Sequence, residues 1–415
     1  MRNSPAPSEP GPRIEALDVL RGLAVLGILM VNAPSFAMPP EIGDTPTLSP
    51  QPFGPADAVL WWIKHVLFEQ KFVTLFSMLF GVSVFLVGGA GGRDRQARTR
   101  RAVLWRRLLW LMVFGALHGA LVWFGDILLL YGMAGLVMIF CRGWGPLRLT
   151  LAGLPLIAWS VYRLLSQEFA FQALPAAARA TQGPGAADMA ASVGRFTGDL
   201  GQVQLANLDL WWLMAEFSPR YYGGMTLGLM MLGLALFHTG VLSGRASRGR
   251  YLGLVAVGAA ALAVIGWNAA DQLRDGFPSA TRAWDYIPNL TLAPLVSLGY
   301  VGLIGLALQS SRLASAKAAL AAVGRMAFTN YLLQSLIMTT VFYGGRGLGL
   351  FGRLDWPAWT LMVLAIWAFQ IGASGWWLSR WRMGPMEWLW RRLSYGGPVP
   401  LSRATPLQRG AVPPA

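Results

Sequence analysis

The chain has 415 residues, of which 55% are hydrophobic and only 13% charged, with nineteen Trp and twenty Phe. That composition excludes an ordinary soluble domain, and repeated apolar runs of about 20 residues predict an all-α, polytopic transmembrane helical bundle. The net charge of +15 would suggest nucleic acid in a soluble chain, but the basic residues form no continuous face, so the expected partner is a lipid bilayer and not nucleic acid.

In chain order, residues 1–12 are Pro-rich and polar and read as a disordered tail, as do residues 398–415. Residues 13–397 form one transmembrane helical domain. It opens with RIEALDVLRGLAVLGILMVN, Arg13 to Asn32, an apolar helix-length run holding a carboxylate and a guanidinium. A charge inside a span costs roughly 2.5 to 3.5 kcal/mol on insertion scales. Asp18 and Arg21 are three apart, share a helix face and are expected to form a buried ion pair. Asn32, eleven residues beyond Arg21, lies on that same face, roughly 16 Å along the axis. Such a stripe faces protein or a water-filled cavity, not lipid. Gly22–Ala33 has the length of a signal-peptide core and Ser35-Phe36-Ala37 a passable cleavage pattern. Asp18 and the polar stripe favour a retained first span.

Hydropathy and flanking charge predict about ten spans, near 15–34, 59–87, 104–124, 126–141, 147–165, 220–242, 250–267, 287–308, 317–343 and 356–379. Seven arginines lie between Arg93 and Arg107, and further basic residues flank other spans at Arg142, Arg148, Arg245, Arg248, Arg250, Arg312, Lys317, Arg325 and from Arg380 onward. With ten spans all of these fall on one side. The carboxylates Glu41, Asp44, Asp57, Asp188, Asp199, Asp271, Asp275, Asp285 and Asp355 fall mostly on the other. Both termini are therefore expected in the cytoplasm. The largest external loop, about 166–208, is Ala- and Gly-rich and suits short helices covering a mouth. No internal repeat is visible.

The single cysteine, Cys141, excludes an intrachain disulfide and a Cys-based zinc site. No metal-ligand cluster, P-loop, nucleotide fingerprint or nucleophile elbow is present. Of three histidines, His118 lies deepest, within GALHGALVWFGDILLLYG. It is the natural general base near neutral pH, or else a helix-packing residue. The small residues Gly115, Ala116, Gly119 and Ala120 around it suit either role. Asp126 would stand about 12 Å away on a continuous helix, so a direct His–Asp pair requires Gly125 to break the helix. Otherwise Asp126 is an N-cap for the next span. His65 and Lys71 lie on the long second segment. Lys71 either snorkels to the interface or neutralises an anion in a cavity. His238 is expected near an interface. In GRMAFTNYLLQSLIMTT, Asn330 and Gln334 are four apart on one face and fit either interhelical hydrogen bonding or a substrate site.

The segments RIEALDVLRGLAVLGILMVN, KFVTLFSMLFG, GALHGALVWFGDILLLYG, GRMAFTNYLLQSLI and GPMEWLWRRLSYG together resemble the YeiB-like family of bacterial inner-membrane proteins, over roughly residues 13–397. That family is more remotely similar to the transmembrane acyltransferase superfamily, which includes the heparan-α-glucosaminide N-acetyltransferases and membrane O-acetyltransferases of cell-surface glycans. The resemblance implies an inner-membrane acyltransferase taking acyl-CoA from the cytoplasm and a sugar, lipid or envelope acceptor from the other side. In the O-acetylating branch an Arg is followed eleven positions later by His; here those positions are Arg21 and Asn32. Asparagine cannot act as a base, which moves that role to His118, with Asp126 as its partner. Arg21, Asn32, Lys71, Asn330 and Gln334 are then expected to position the substrates, and Arg100 and Arg101 to meet the CoA phosphates. The alternatives are a small-molecule or anion transporter and a non-catalytic membrane protein.

Overall fold

The computed structural model describes residues 14–43, 45–92, 94–182, 185–278 and 282–402. Arg93, Asp44 and most of both expected tails lie outside the described residues. The described residues form fifteen α-helices, with no sheet: α1 (Glu15–Ala37), α2 (Pro55–Ile63), α3 (Lys71–Gly88), α4 (Arg95–Leu121), α5 (Leu128–Cys141), α6 (Pro146–Gln172), α7 (Ala176–Gln182), α8 (Ala186–Thr197), α9 (Leu200–His238), α10 (Arg248–Asp275), α11 (Arg282–Leu308), α12 (Ala314–Arg325), α13 (Ala327–Phe342), α14 (Trp356–Arg380) and α15 (Pro385–Tyr395). The starts follow local chemistry. Asp94 accepts from Ala97 N, Asp199 and Gln202 form a reciprocal capping box, and Asp355 accepts from Ala358 N with Pro357 behind it in the first turn.

Among the described residues, six segments are long and apolar enough to cross a membrane: Glu15–Ala37, Pro55–Gly88, Pro146–Gln172, Arg248–Asp275, Ala283–Leu308 and Trp356–Arg380. The chain is thus a multi-pass membrane protein. The other four expected spans are helical but weaker. α4 carries Arg106 and Arg107 among its apolar residues, α5 has only 14 residues, and glycines, Tyr221 and Tyr222 dilute the apolar half of α9. The expected single span 317–343 breaks at Met326 into α12 and α13. The break is stabilised from a distance. The Glu387 carboxylate on α15 accepts Phe328 N, Thr329 N and the Thr329 hydroxyl, so α15 supplies the cap that α13 lacks locally. The expected loop 166–208 is mostly helical, taken up by the end of α6, by α7 and α8, and by the start of α9.

Helix α1 runs through the centre. Of its apolar window 72% is buried, against 17% for α6 and 28% for α10 and α14. The outer helices present Trp159, Trp267, Leu361 and Phe369 outward, faces that fit lipid. Two of the helix contacts that need glycine show why. A Cβ on Gly22 would lie 2.0 Å from the Leu320 carbonyl oxygen, where α1 meets α12. One on Gly81 would lie 2.1 Å from the Met230 carbonyl oxygen, where α3 meets α9. Small residues here let backbones approach, as membrane helices require when lipid supplies no hydrophobic drive.

Candidate functional site

Helix α4 stops at Leu121 because its carbonyls find partners outside the helix. The His118 carbonyl accepts both Val122 N and Trp123 N. Asn207 on α9 donates to the Gly119 and Ala120 carbonyls, and Gln204 also donates to Ala120. Arg346 donates from Nη1 to the Val122 carbonyl at 2.7 Å and from Nη2 to Gln204. Burial lowers the pKa of this guanidinium below its ordinary value. The chain then turns through Trp123 to Ile127 and starts α5. This turn carries Asp126 back against α4. His118 Nδ1 lies 2.9 Å from Asp126 Oδ1, and Asp126 Oδ2 accepts Leu129 N at 2.9 Å. The 12 Å separation of a straight helix is therefore replaced by direct contact, and the capping and pairing roles coexist in one carboxylate. Gly115 makes room, since a Cβ there would lie 2.7 Å from Asp126 Oδ2.

Both side chains are shut from solvent, at 3% and 1% exposure. A carboxylate can only accept, so in the neutral ring the proton sits on Nδ1 and Nε2 keeps a lone pair. Nε2 is buried and has no hydrogen-bond partner among the described residues. The Tyr331 ring sits 5.3 Å from the imidazole, centroid to centroid, and its hydroxyl accepts Ile127 N. The pair thus holds a basic nitrogen in reserve.

A second histidine sits in a different setting. Between α2 and α3 the chain makes a π-helical turn, Lys64–Phe68, and then Gln70 adopts a left-handed conformation at φ 63°. The turn brings Lys64 Nζ and His65 Nδ1 onto one Glu69 oxygen, at 2.9 and 3.1 Å. Lys71 does not snorkel. It is fully buried, donating to the His65 carbonyl at 2.9 Å and to Asn289 Oδ1. Asn289 Nδ2 lies 3.1 Å from His65 Nε2, and Trp61 stacks on the imidazole at 4.7 Å. This cluster floors a cavity of about 520 Å³ whose walls include Trp61, His65, Glu69, Phe217, Tyr222 and Asn289; His118 is not among them. Sequence reading alone singled out neither Glu69 nor Asn289. The i, i+4 spacing of His65 and Glu69 was the available signal for the first, while Asn289 reaches the cluster only through tertiary packing.

The remaining expected residues are dispersed. Arg21 pairs with Asp18 at 3.0 Å and donates to Ser83 Oγ at 3.0 Å, with 24% of its side chain exposed. Asn32 is half-buried and makes no side-chain hydrogen bond among the described residues. Asn330 donates to the Val323 carbonyl and Ser374 Oγ; Gln334 donates to the Val25 carbonyl and Gln370 Oε1. Both are engaged in interhelical bonds. Arg100 and Arg101 stand exposed near the start of α4, roughly 25 Å along that helix from His118. Among the described residues no group of three or more His, Cys, Asp or Glu is placed to hold a metal.

Residues 236–397 match the family described as "Protein of unknown function (DUF418)". The chain is 33% identical to "Uncharacterized protein YeiB" of Escherichia coli over 91% of this chain and 95% of that protein. It is 29% identical to "Uncharacterized protein YxaH" of Bacillus subtilis over 95% of this chain and 97% of that one. No solved structure matches. Near-complete coverage at this identity, with the helical order above, places the chain in the YeiB-like family of multi-pass membrane proteins.

Proposed function

We propose that this protein is an integral-membrane acyltransferase of the bacterial inner membrane, with ten crossings and both termini cytoplasmic. The observation that carries the reading is the buried His118–Asp126 pair with an unpartnered Nε2. Nε2 takes the proton of an acceptor hydroxyl or amine as that atom attacks the thioester carbonyl of acyl-CoA. The bond from carbonyl carbon to sulfur breaks, and the CoA thiolate leaves and is protonated from the imidazolium. Asp126 stabilises that imidazolium while it exists. The amide of Asn32, uncommitted in the fold, is the group on α1 free to meet the acyl carbonyl. Arg100 and Arg101 meet the CoA phosphates on the cytoplasmic face. The acceptor is a sugar, a lipid headgroup or an envelope metabolite. Since His118 is closed to solvent, the acceptor reaches it through local opening.

The test is release of free thiol from acyl-CoA by the purified full-length protein, dependent on added acceptor. His118→Gln should insert normally and release none. Thiol release by His118→Gln at the wild-type rate would reject His118 as the base.

One observation favours a second reading, an anion or small-molecule transporter: a 520 Å³ cavity lined by His65 and Asn289, the hydrogen-bond partners of the buried Lys71, excludes His118. Under that reading proteoliposomes accumulate solute and no thiol appears.

A further inference from the structure

At the far end of α4 from His118, the structure holds a second open pocket of about 630 Å³, bounded by the loop after α3, the first turns of α4 and the end of α5. Arg142 forms its floor. This side chain is only 8% exposed. Its Nε donates to the Gly89 carbonyl at 3.1 Å and its Nη1 to the Ile139 carbonyl. Nη2, facing Gly91, has no hydrogen-bond partner among the described residues. Arg101 stands on the rim, close enough for the two cations to repel. No carboxylate pairs with either among the described residues. A buried guanidinium without a counter-ion is costly, and a second cation beside it adds to the cost. An incoming anion removes both penalties.

The rest of the pocket narrows the choice of anion. The loop Gly88–Gly92 places Gly89, Gly91 and Gly92 at φ 65°, 106° and 151°, so its rim is bare backbone. Trp105, Phe140 and Trp144 form the other walls, and Phe140 is 72% exposed. Leu147, 71% exposed, continues the apolar surface outward along α6. A free guanidinium edge is shaped for a tetrahedral oxyanion, and exposed aromatic residues beside it suit an acyl chain at the membrane interface.

We propose that this pocket binds a phosphate group, held by Arg142 Nη2 and Arg101, and that the apolar flank selects the headgroup of an anionic phospholipid. The inference rests on Arg142 and shares Arg101 with the acyl-transfer reading, so the CoA and phosphatidylglycerol arms of the test separate the two ligands.

The experiment uses full-length protein in a neutral detergent, with binding read by thermal stabilisation. The probes are short-chain phosphatidylglycerol, the matching phosphatidylcholine, inorganic phosphate and CoA. Phosphatidylglycerol should stabilise the wild type in a salt-sensitive way, and phosphatidylcholine should not. Arg101→Gln, on the exposed rim, should fold normally and bind phosphatidylglycerol about tenfold more weakly, as loss of one charge-assisted contact implies. Arg142→Gln should abolish the effect, and Arg142→Lys should restore part of it. Stabilisation by phosphate or CoA alone, lost in the same variants, keeps the phosphate site and assigns it to a soluble ligand. Equal phosphatidylglycerol affinity in wild type and Arg101→Gln, or equal response to both lipids, overturns the proposal.

Discussion

Two histidines in this protein each lean on a carboxylate through Nδ1, and the two differ in what the other ring nitrogen meets. At His65, Nδ1 faces Glu69 and Nε2 lies 3.1 Å from the Asn289 amide, so both nitrogens are occupied. At His118, Nδ1 faces Asp126 and Nε2 has no hydrogen-bond partner among the described residues. A carboxylate fixes the tautomer in both places. Only the second leaves a lone pair free to take a proton. Under the proposed acyl transfer it is the free nitrogen opposite the pairing, and not the pairing itself, that separates His118 from His65. A buried acceptor without a partner costs roughly 1–3 kcal/mol.

The comparison breaks most sharply on activity. His118→Gln should lower acyl transfer by about 10² to 10⁴, the usual range for losing a general base. His65→Gln, which keeps hydrogen bonding to Glu69, should leave turnover within a few-fold. Thiol-release rates on both variants check this, and an equal loss in the two would erase the distinction. Next in size is Glu69→Ala. It strands Lys64 and His65 without their shared carboxylate and should destabilise by about 3–5 kcal/mol, measured by thermal unfolding in detergent. Asp18→Asn removes the counter-charge of Arg21. Because that guanidinium is 24% exposed and keeps Ser83, the cost should be nearer about 1–2 kcal/mol than the figure for a fully buried pair. The smallest effect on stability is expected for Arg346→Ala. Losing its bond to the Val122 carbonyl should cost about 1 kcal/mol, yet loosening the turn that presents Asp126 should lower turnover more than this stability loss alone explains.

The bundle was largely legible from hydropathy, because apolar runs of membrane length admit few alternatives. Every segment expected to span is mostly helical, with breaks at Glu69–Gln70 and at Met326, and the Asp18–Arg21 pair follows from a three-residue spacing. What periodicity does not carry is where a helix stops. The end of α4 depends on Asn207, Gln204 and Arg346, residues 80 to 230 positions away that bond its last carbonyls. Without them Asp126 reads as remote from His118. Lys71 was open between snorkelling and a cavity role for the opposite reason. Lysine at a helix start is a good snorkeller, and only the Asn289 side chain from α11 explains its burial. Asn330 and Gln334 were ambiguous by type, and only the fold shows their partners Ser374 and Gln370.

The cap on α13 has a consequence for the order of assembly. Phe328 N and Thr329 N take their acceptor from Glu387, which follows them by 59 and 58 residues. While the chain is being synthesised, α13 emerges before that carboxylate exists, and α14 must cross before α15 can fold back. The start of α13 therefore stays unfinished until α15 arrives and closes a gap left much earlier. A chain truncated before Pro385 would lack that closure.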